Sequence, residues 1–195
     1  MGYSQTSLAV RGMPPDEILE ILALRRTGTH EEFPESAWTA VNLPSGSFLV
    51  VASHAADFST VDDLLSKLSL AGELVTCMVE EHVMASEAVC WRNGQLVWRV
   101  LHDSSNTKTP LIVEGEPPPG FAAIRDQYLA EQVKGDVEGQ KTDYIFEIPV
   151  QLAFAFSGYR YGQDTPGLAV DAFEVLESIA QPPAKKSFFR RLFGG

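Results

Sequence analysis

Glu87 and His102 have the residue types and the spacing that acid–base chemistry requires. Asn93-Gly94 lies between two runs of β-forming residues, which predicts a hairpin with a two-residue type I′ turn. Counting outward from that turn places Glu87 and His102 diagonally on one face, the more apolar face, with Trp91 and Trp98. A carboxylate that orients an imidazole is an arrangement for general acid–base catalysis. The alternative is a structural hydrogen bond at the margin of the core.

Further oxygen and nitrogen ligands lie in Glu80-Glu81-His82 and in His102-Asp103. Glu80 and His82 would point to the same side of a strand, so these two are the residues to consider for a divalent metal. However, the sequence contains no His-Glu-x-x-His, no Cys-x-x-Cys and no EF-hand loop. Its two cysteines fit no zinc module and are expected to be unmodified thiols. We therefore expect neither a bound metal nor a cofactor.

The segment at 157–162 combines aromatic rings with an arginine. Tyr159, Arg160 and Tyr161 are residue types favoured as anchors in protein interfaces, so this segment is a candidate binding surface. Alternatively, it ends a helix and packs Tyr159 back onto the core. The sequence has no Gly-x-Ser-x-Gly and no glycine-rich phosphate-binding loop. These absences favour a binding protein over an enzyme.

The segment at 185–195 is basic and amphipathic. On a helical wheel, Ser187, Arg190 and Arg191 lie on one side, and the other side is apolar: Phe188, Phe189, Leu192 and Phe193. Such a segment can lie on an anionic membrane surface or enter a groove on a protein partner. It can equally fold back on the acidic body or be a disordered end.

The charge of the chain restricts its expected partners. The 195 residues include 26 acidic and 15 basic side chains, a net charge of −11. Four of the basic side chains belong to the tail, which leaves 11 against 26 and a net charge of −15 in residues 1–184. An acidic body repels phosphate, so nucleic acid is not an expected partner. It suits a basic protein partner through steering, although solubility alone also explains an acidic surface.

The composition is that of a globular chain, with 45% hydrophobic and 21% charged residues. No stretch of 18 uninterrupted apolar residues is present, so we expect no membrane-spanning helix. The first residues lack the charged and apolar regions of a secretory signal. We expect a cytoplasmic location, with peripheral contact at the inner membrane surface through the tail as one option.

The predicted elements over residues 4–79 follow the order strand, helix, strand, strand, helix, strand. The first helix is predicted to have Arg25 and Arg26 in its last turn and to stop before Gly28. This order of elements is that of a ferredoxin-like βαββαβ unit, to which the Asn93-Gly94 hairpin adds two strands. We therefore predict an α+β fold, with an antiparallel-rich mixed sheet and helices mainly on one face. Residues 1–181 are expected to form a single domain. A proline-containing linker at 182–184 and the tail at 185–195 would follow it.

In the second half of the chain, helices are predicted at 121–133, with Gly135 after the helix, and at 168–180. Residues 144–156 are ambiguous, because their apolar side chains alternate as in a strand. Pro149 would interrupt a central strand but suits the first turn of a helix that ends at Gly158. The helix from Pro149 onward is the favoured alternative.

Several segments resemble functionally uncharacterised bacterial proteins of similar length, and the resemblance covers most of residues 1–165. The similar positions are residues 79–84, Trp91, Gly94, Trp98, His102-Asp103 and residues 143–149. The resemblance implies a bacterial cytosolic protein. It implies no activity, so it assigns no catalytic residue.

These observations lead to two hypotheses. The first is a non-enzymatic protein-interaction module with a C-terminal docking peptide. One specific form of it is an acidic neutraliser of a basic toxin, as immunity proteins are. The alternative is a small ligand-binding protein or enzyme that uses Glu87 and His102.

Overall fold

A computed structural model describes residues 2–53, 62–106 and 110–179 of the chain. Within these ranges it contains four helices and nine strands. In chain order the elements are β1 (Ser4–Arg11), α1 (Pro15–Ile21), β2 (Leu24–Glu31), β3 (Trp38–Asn42), β4 (Phe48–Ser53), α2 (Asp62–Leu68), β5 (Glu73–Glu80), β6 (Ala85–Arg92), β7 (Gln95–Asp103), β8 (Leu111–Gly115), α3 (Phe121–Glu138), α4 (Glu147–Ser157) and β9 (Phe173–Ser178).

All nine strands belong to one sheet, in the spatial order β2-β9-β3-β4-β1-β5-β6-β7-β8. Every neighbouring pair is antiparallel. The chain is thus an α+β protein with a large antiparallel sheet. No helix in the described part of the chain is long and apolar enough to cross a membrane.

The helices lie on both faces of the sheet, which corrects the prediction that they lie mainly on one. Leu8 and Val10 of the central strand β1 join a core cluster that contains residues of α1 and α2. Ala9, between them, joins a cluster on the opposite face, as the alternation of side chains along a strand requires. On that opposite face, α4 packs on β5, β6 and β7, and α3 packs on α4. The α4 side of the molecule therefore has two helical layers.

Helix α4 settles the ambiguity of residues 144–156. The helical alternative is correct, and the helix begins at Glu147, two residues before the predicted start. Pro149 lies in its first turn, where the missing N–H has no intrahelical partner to lose. Four apolar side chains of α4 are buried between the sheet and α3: Ile148, Val150, Leu152 and Ala153.

Two predicted helical segments are strands instead. Helix α1 ends at Ile21 rather than beyond Arg25, and Ala23 then takes a positive φ of 53° before β2 begins. The predicted helix at 168–180 is β9. Its Phe173 and Leu176, three residues apart, belong to core clusters on opposite faces of the sheet. This spacing fits a strand buried on both faces as well as it fits one face of a helix.

Helix α3 confirms the predicted helix at 121–133 and extends it to Glu138. Gly135, expected to follow the helix, lies inside it and is buried. A Cβ at this position would lie 2.9 Å from Cε2 of Tyr144, so the absence of a side chain lets the helix approach that ring. The helix ends instead at Gly139, which has a left-handed conformation.

Candidate functional site

The β6–β7 hairpin, which carries Glu87 and His102, has the predicted turn but not the predicted register. Asn93 and Gly94 both have positive φ, at 51° and 75°, as a type I′ turn requires. Trp91 pairs with Leu96 as expected, but the next residue of β6 pairs with Trp98. A β-bulge inserts Val97 as an extra residue. It moves every later side chain of β7 to the opposite face.

The bulge separates Glu87 from His102, so the predicted acid–base pair is not formed. Glu87 pairs with Leu101, whereas His102 pairs with Ser86. The two side chains therefore project to opposite faces of the sheet. Glu87 is only 4% exposed, and it accepts a hydrogen bond from Nε of Arg99 in a largely buried ion pair. The carboxylate thus binds an arginine of the neighbouring strand instead of the imidazole.

His102 has a different carboxylate partner, Asp143, in the loop between α3 and α4. Its Nε2 lies 2.8 Å from Oδ2 of Asp143, and its Nδ1 lies 2.6 Å from the carbonyl oxygen of Pro110. A carbonyl and a carboxylate accept hydrogen bonds, so each ring nitrogen lies against an acceptor. The ring is 1% exposed and both of its nitrogens are engaged within the chain. No ring nitrogen is left to exchange a proton with a substrate.

Asp143 is held as a carboxylate by its surroundings. Burial alone would raise the pKa of Asp143. The hydrogen bond and charge of His102, together with the backbone N–H groups of Phe146 and Ile145, lower that pKa overall. The His102–Asp143 contact joins β7 to the loop that leads into α4. It lies close to the face of the sheet on which α4 packs.

An open groove of about 420 Å³ lies beside this contact. Its lining is mostly polar and includes Gln132, Asp136, Gln140 and Lys141. These side chains also bond within the chain, since Gln132 donates to Asp136 Oδ1 at 2.9 Å and accepts from the N–H of Tyr144 at 2.7 Å. Ligand pockets are usually lined mainly by apolar side chains, with a few converging polar groups. This groove lacks that lining.

Glu80 and His82 do meet, but in a local contact. His82 Nδ1 lies 2.6 Å from Oε1 of Glu80, whose other oxygen accepts a hydrogen bond from Ser4 at 2.6 Å. Burial works to raise the pKa of Glu80, while these hydrogen bonds lower it overall. In the described residues, no three His, Cys, Asp or Glu side chains group as metal ligands do.

Cys77 and Cys90 are separate buried thiols, and burial raises the pKa of each to about 12.

The aromatic segment around Tyr159 packs against the sheet. The Tyr159 hydroxyl is buried and donates to Gln5 Oε1 at 2.9 Å. Arg160 donates to Glu147 at 2.6 Å, and the Tyr161 hydroxyl donates to Glu81 at 3.1 Å. The space behind the segment is only about 10 Å³, enough for a single water. The polar ends of all three side chains thus bond within the chain.

The other predicted binding residues, at 188–193, and the linker at 182–184 lie outside the described residues.

The outer face of α3 carries an apolar stripe that the sequence analysis did not single out. Leu129, Val133 and Val137, at successive spacings of four residues, are 37%, 64% and 84% exposed. Ala122 and Ala130 are exposed on the same side of the helix. At 100° per residue these five positions fall within an arc of about 100°, which also contains the exposed Asp126. We call them the α3 stripe.

The α3 stripe faces away from the other described residues. The opposite side of the helix packs on the α4 cluster through Phe121, Ile124 and Tyr128. A helix that is apolar on two opposite sides has the pattern of an element placed between two layers. Among the residues that the structure describes, only one of those layers is present. The repeated spacing of Leu129, Val133 and Val137 was the signal in the sequence that could have revealed the second side.

Within residues 2–53, 62–106 and 110–179, the geometry thus offers the α3 stripe as a surface suited to a partner and shows no assembled catalytic group. Comparison with known proteins adds no constraint to that choice: no family model matches the chain, and no curated protein or solved structure matches it either.

Proposed function

We propose that this protein is a non-enzymatic protein-interaction module that binds its partner through the α3 stripe. The observation that carries the proposal is the exposure of Leu129, Val133 and Val137 on a helix whose opposite side is already packed. Aligned apolar side chains on an exposed helical face are the anchors of helix-mediated recognition. Burial of such a stripe on association removes apolar surface from water, which favours binding.

The geometry of the described residues does not support the catalytic alternative. Glu87 is bound to Arg99, and both nitrogens of His102 are engaged by Asp143 and Pro110. An acid–base site needs a group within reach of the reacting atoms of a substrate. Neither side chain offers such a group in the described structure, so the interaction module is the better-supported function.

If the partner is a protein other than this chain itself, the acidic body favours a basic one. Residues 1–184 carry a net charge of −15, and complementary charge accelerates association at low ionic strength. A neutraliser of a basic toxin is the specific form of this proposal. The basic segment at 185–195 is proposed as a separate docking peptide, for a protein groove or an anionic membrane surface.

The strand order β3-β4-β1-β5, with α1 and α2 on one face, supports a ferredoxin-like description of this part of the sheet.

The test is a binding comparison between matched surface variants. Val133→Lys places a charge on the α3 stripe, whereas Val170→Lys places the same charge on an exposed loop position outside α3. The full chain and both variants are used to purify partners from the source cell. Each partner is then produced alone and titrated by calorimetry. We expect a saturable partner that the wild type and Val170→Lys bind and that Val133→Lys binds at least about tenfold more weakly.

Two results would contradict the proposal. One is equal binding by Val133→Lys and wild type, which would move the interface away from α3. The other is no saturable protein binding at all, including self-association, at concentrations up to about 100 μM. Either result with an intact fold, checked by circular dichroism, removes the α3 stripe as a functional surface.

A further inference from the structure

We infer that the partner of the α3 stripe is a second copy of this chain, in a twofold-symmetric antiparallel pair of α3 helices. This inference rests on the proposed function, because it names the occupant of the same surface. A twofold interface requires a surface that is complementary to itself. The sequence of α3 meets that requirement in both its apolar and its charged positions.

The apolar positions fit a twofold axis that passes close to Ala130. In an antiparallel pair centred there, residues whose numbers add to about 261 lie opposite each other. Leu129 then lies close to Val133 of the second copy, and the contact repeats on the other side of the axis. Ala130, nearest the axis, has a small side chain, which allows the two backbones to approach to the usual helix-packing distance of about 8–10 Å.

The charged positions beside and within the stripe are complementary in the same alignment. Arg125 and Asp136 lie on the same flank of α3, so each Arg125 is opposite Asp136 of the second copy. Lys134 lies on the other flank, and Asp126 lies near the centre of the stripe, so Lys134 can reach Asp126 of the second copy. In the single chain Arg125 contacts Asp126, and Lys134 lies 3.9 Å from Glu138, so the inferred pairs replace exposed contacts within one helix. All four side chains are exposed or half-buried in the single chain. A shift of the alignment by one helical turn would lose these pairs, so charge selects the same axis that the apolar residues select.

The size of the surface sets the strength expected of this pair. Helix α3 has 18 residues, which makes it about 27 Å long. One helix face of that length is smaller than the approximately 800 Å² per partner that a standard interface buries. We therefore expect a weak dimer, with a dissociation constant on the order of 10–100 μM. Most of the acidic surface would stay free for another partner.

The first experiment is sedimentation velocity on the full chain from roughly 5 to roughly 500 μM, a range that brackets micromolar affinity. The wild type and Val170→Lys should pass from monomer to dimer over this range. Val133→Lys places one new lysine from each copy among the apolar side chains close to the axis, and should weaken association at least about tenfold. A dimer that Val133→Lys does not weaken would overturn the inference.

Charge exchange tests the alignment. Arg125→Asp creates like-charge contacts at both symmetric positions, and so does Asp136→Arg. Each change alone should raise the dissociation constant roughly fivefold or more, from the loss of two surface ion pairs and the added repulsion. The double variant restores opposite charges and should return within about threefold of the wild type. Additive weakening in the double variant would contradict the antiparallel alignment.

Cross-linking provides a test that does not depend on affinity. In the inferred pair, the two copies of Ala130 face each other across the axis. The two copies of Ala123, also exposed on α3, are about 20 Å apart along the helices. Under mild oxidation Ala130→Cys should form a covalent dimer and Ala123→Cys should not. The native Cys77 and Cys90 are buried and give little background. Equal cross-linking of the two variants would overturn the twofold arrangement.

Failure of this inference can be distinguished from failure of the proposed function. A chain that stays monomeric to about 500 μM overturns the second copy as the occupant. If that chain still binds another protein, and Val133→Lys weakens the binding, the proposed function stands. If it is monomeric and binds no protein, both fall.

Discussion

Helices α4 and α3 are stacked on the same face of the sheet and differ in how many of their sides contact another layer. α4 is held between the sheet and α3, and most of its apolar side chains are buried. α3 packs on α4 along one side and has a single buried residue, Gly135. Both helices carry apolar residues on two sides, yet in the described part of the chain only α4 has a neighbour on each. The difference shows that an apolar side chain is buried only where a further layer exists to cover it.

The largest difference between the helices should appear when each loses an apolar side chain. Ile148→Ala in α4 removes methyl groups from a fully buried position, and should lower the free energy of unfolding by about 2–5 kcal/mol. Val133→Ala in α3 should change it by less than about 0.5 kcal/mol. Urea denaturation at a concentration where the chain is monomeric measures both. Similar losses in the two variants would show that α3 already has a covering layer in the monomer.

A smaller effect should distinguish two glutamines of α3. Gln132 accepts a hydrogen bond from the N–H of Tyr144, at the start of the chain leading into α4. Gln132→Ala leaves that N–H without its acceptor and should cost about 1–2 kcal/mol of unfolding free energy. Gln127 makes only an exposed contact with Glu131 on the same helix, so Gln127→Ala should cost about 0.2–0.5 kcal/mol. Equal costs would mean that Gln132 does not fasten α3 to α4.

The smallest effect concerns pH and the His102–Asp143 contact. The pKa of Asp143 is lower in the folded chain than in the unfolded chain. The carboxylate therefore stabilises the fold above its unfolded pKa of about 3.9, and this stabilisation is lost as pH falls through the folded pKa. Asp143→Asn should be less stable than the wild type at pH 7, by about 1 kcal/mol.

Unfolding of the wild type and Asp143→Asn at a series of pH values from about 7 down to about 3 measures this effect. The difference between the two proteins should shrink toward the acid end of the series. A difference that stays constant over the whole range would show that the charge of Asp143 contributes nothing to joining α4 to β7.

The parts of the fold that short-range sequence determines were predictable. Asn93-Gly94 specified its turn, because two successive positive φ values are costly for most other residue pairs. Pro149 indicated the first turn of α4. Each of these signals acts within a few residues and does not depend on a distant strand.

The parts that distant strands determine were not predictable. The bulge at Val97 turns Trp98 toward the cluster beneath α4, and the Val97 carbonyl accepts the N–H of Glu116, beyond β8. Neither the cluster beneath α4 nor the residue beyond β8 can be inferred from the sequence of the hairpin alone. Arg25, expected in the last turn of a helix, instead pairs with Glu177 of β9, 152 positions along the chain.

The Glu87–His102 prediction and the α3 stripe differ in how much of the sequence each depends on. The Glu87–His102 pair depended on counting eight residues past a turn without a bulge, and one inserted residue reversed it. Asp143, the true partner of His102, comes from a loop 41 residues away. The α3 stripe depends only on spacing within one helix, so it could have been predicted from Leu129, Val133 and Val137.

The place of β9 in the sheet has a consequence for synthesis of the chain. β9 lies between β2 and β3, although it follows them by more than 130 residues. At about 5–20 residues per second, a ribosome needs roughly 7–30 s to reach Phe173 after it has made Glu31. During that interval β2 has no strand to pair with, and one edge of β3 is open. The N-terminal third of the nascent chain therefore remains incompletely paired until β9, the last described strand, has been made. During that time its open strand edges are accessible to chaperones and to other chains.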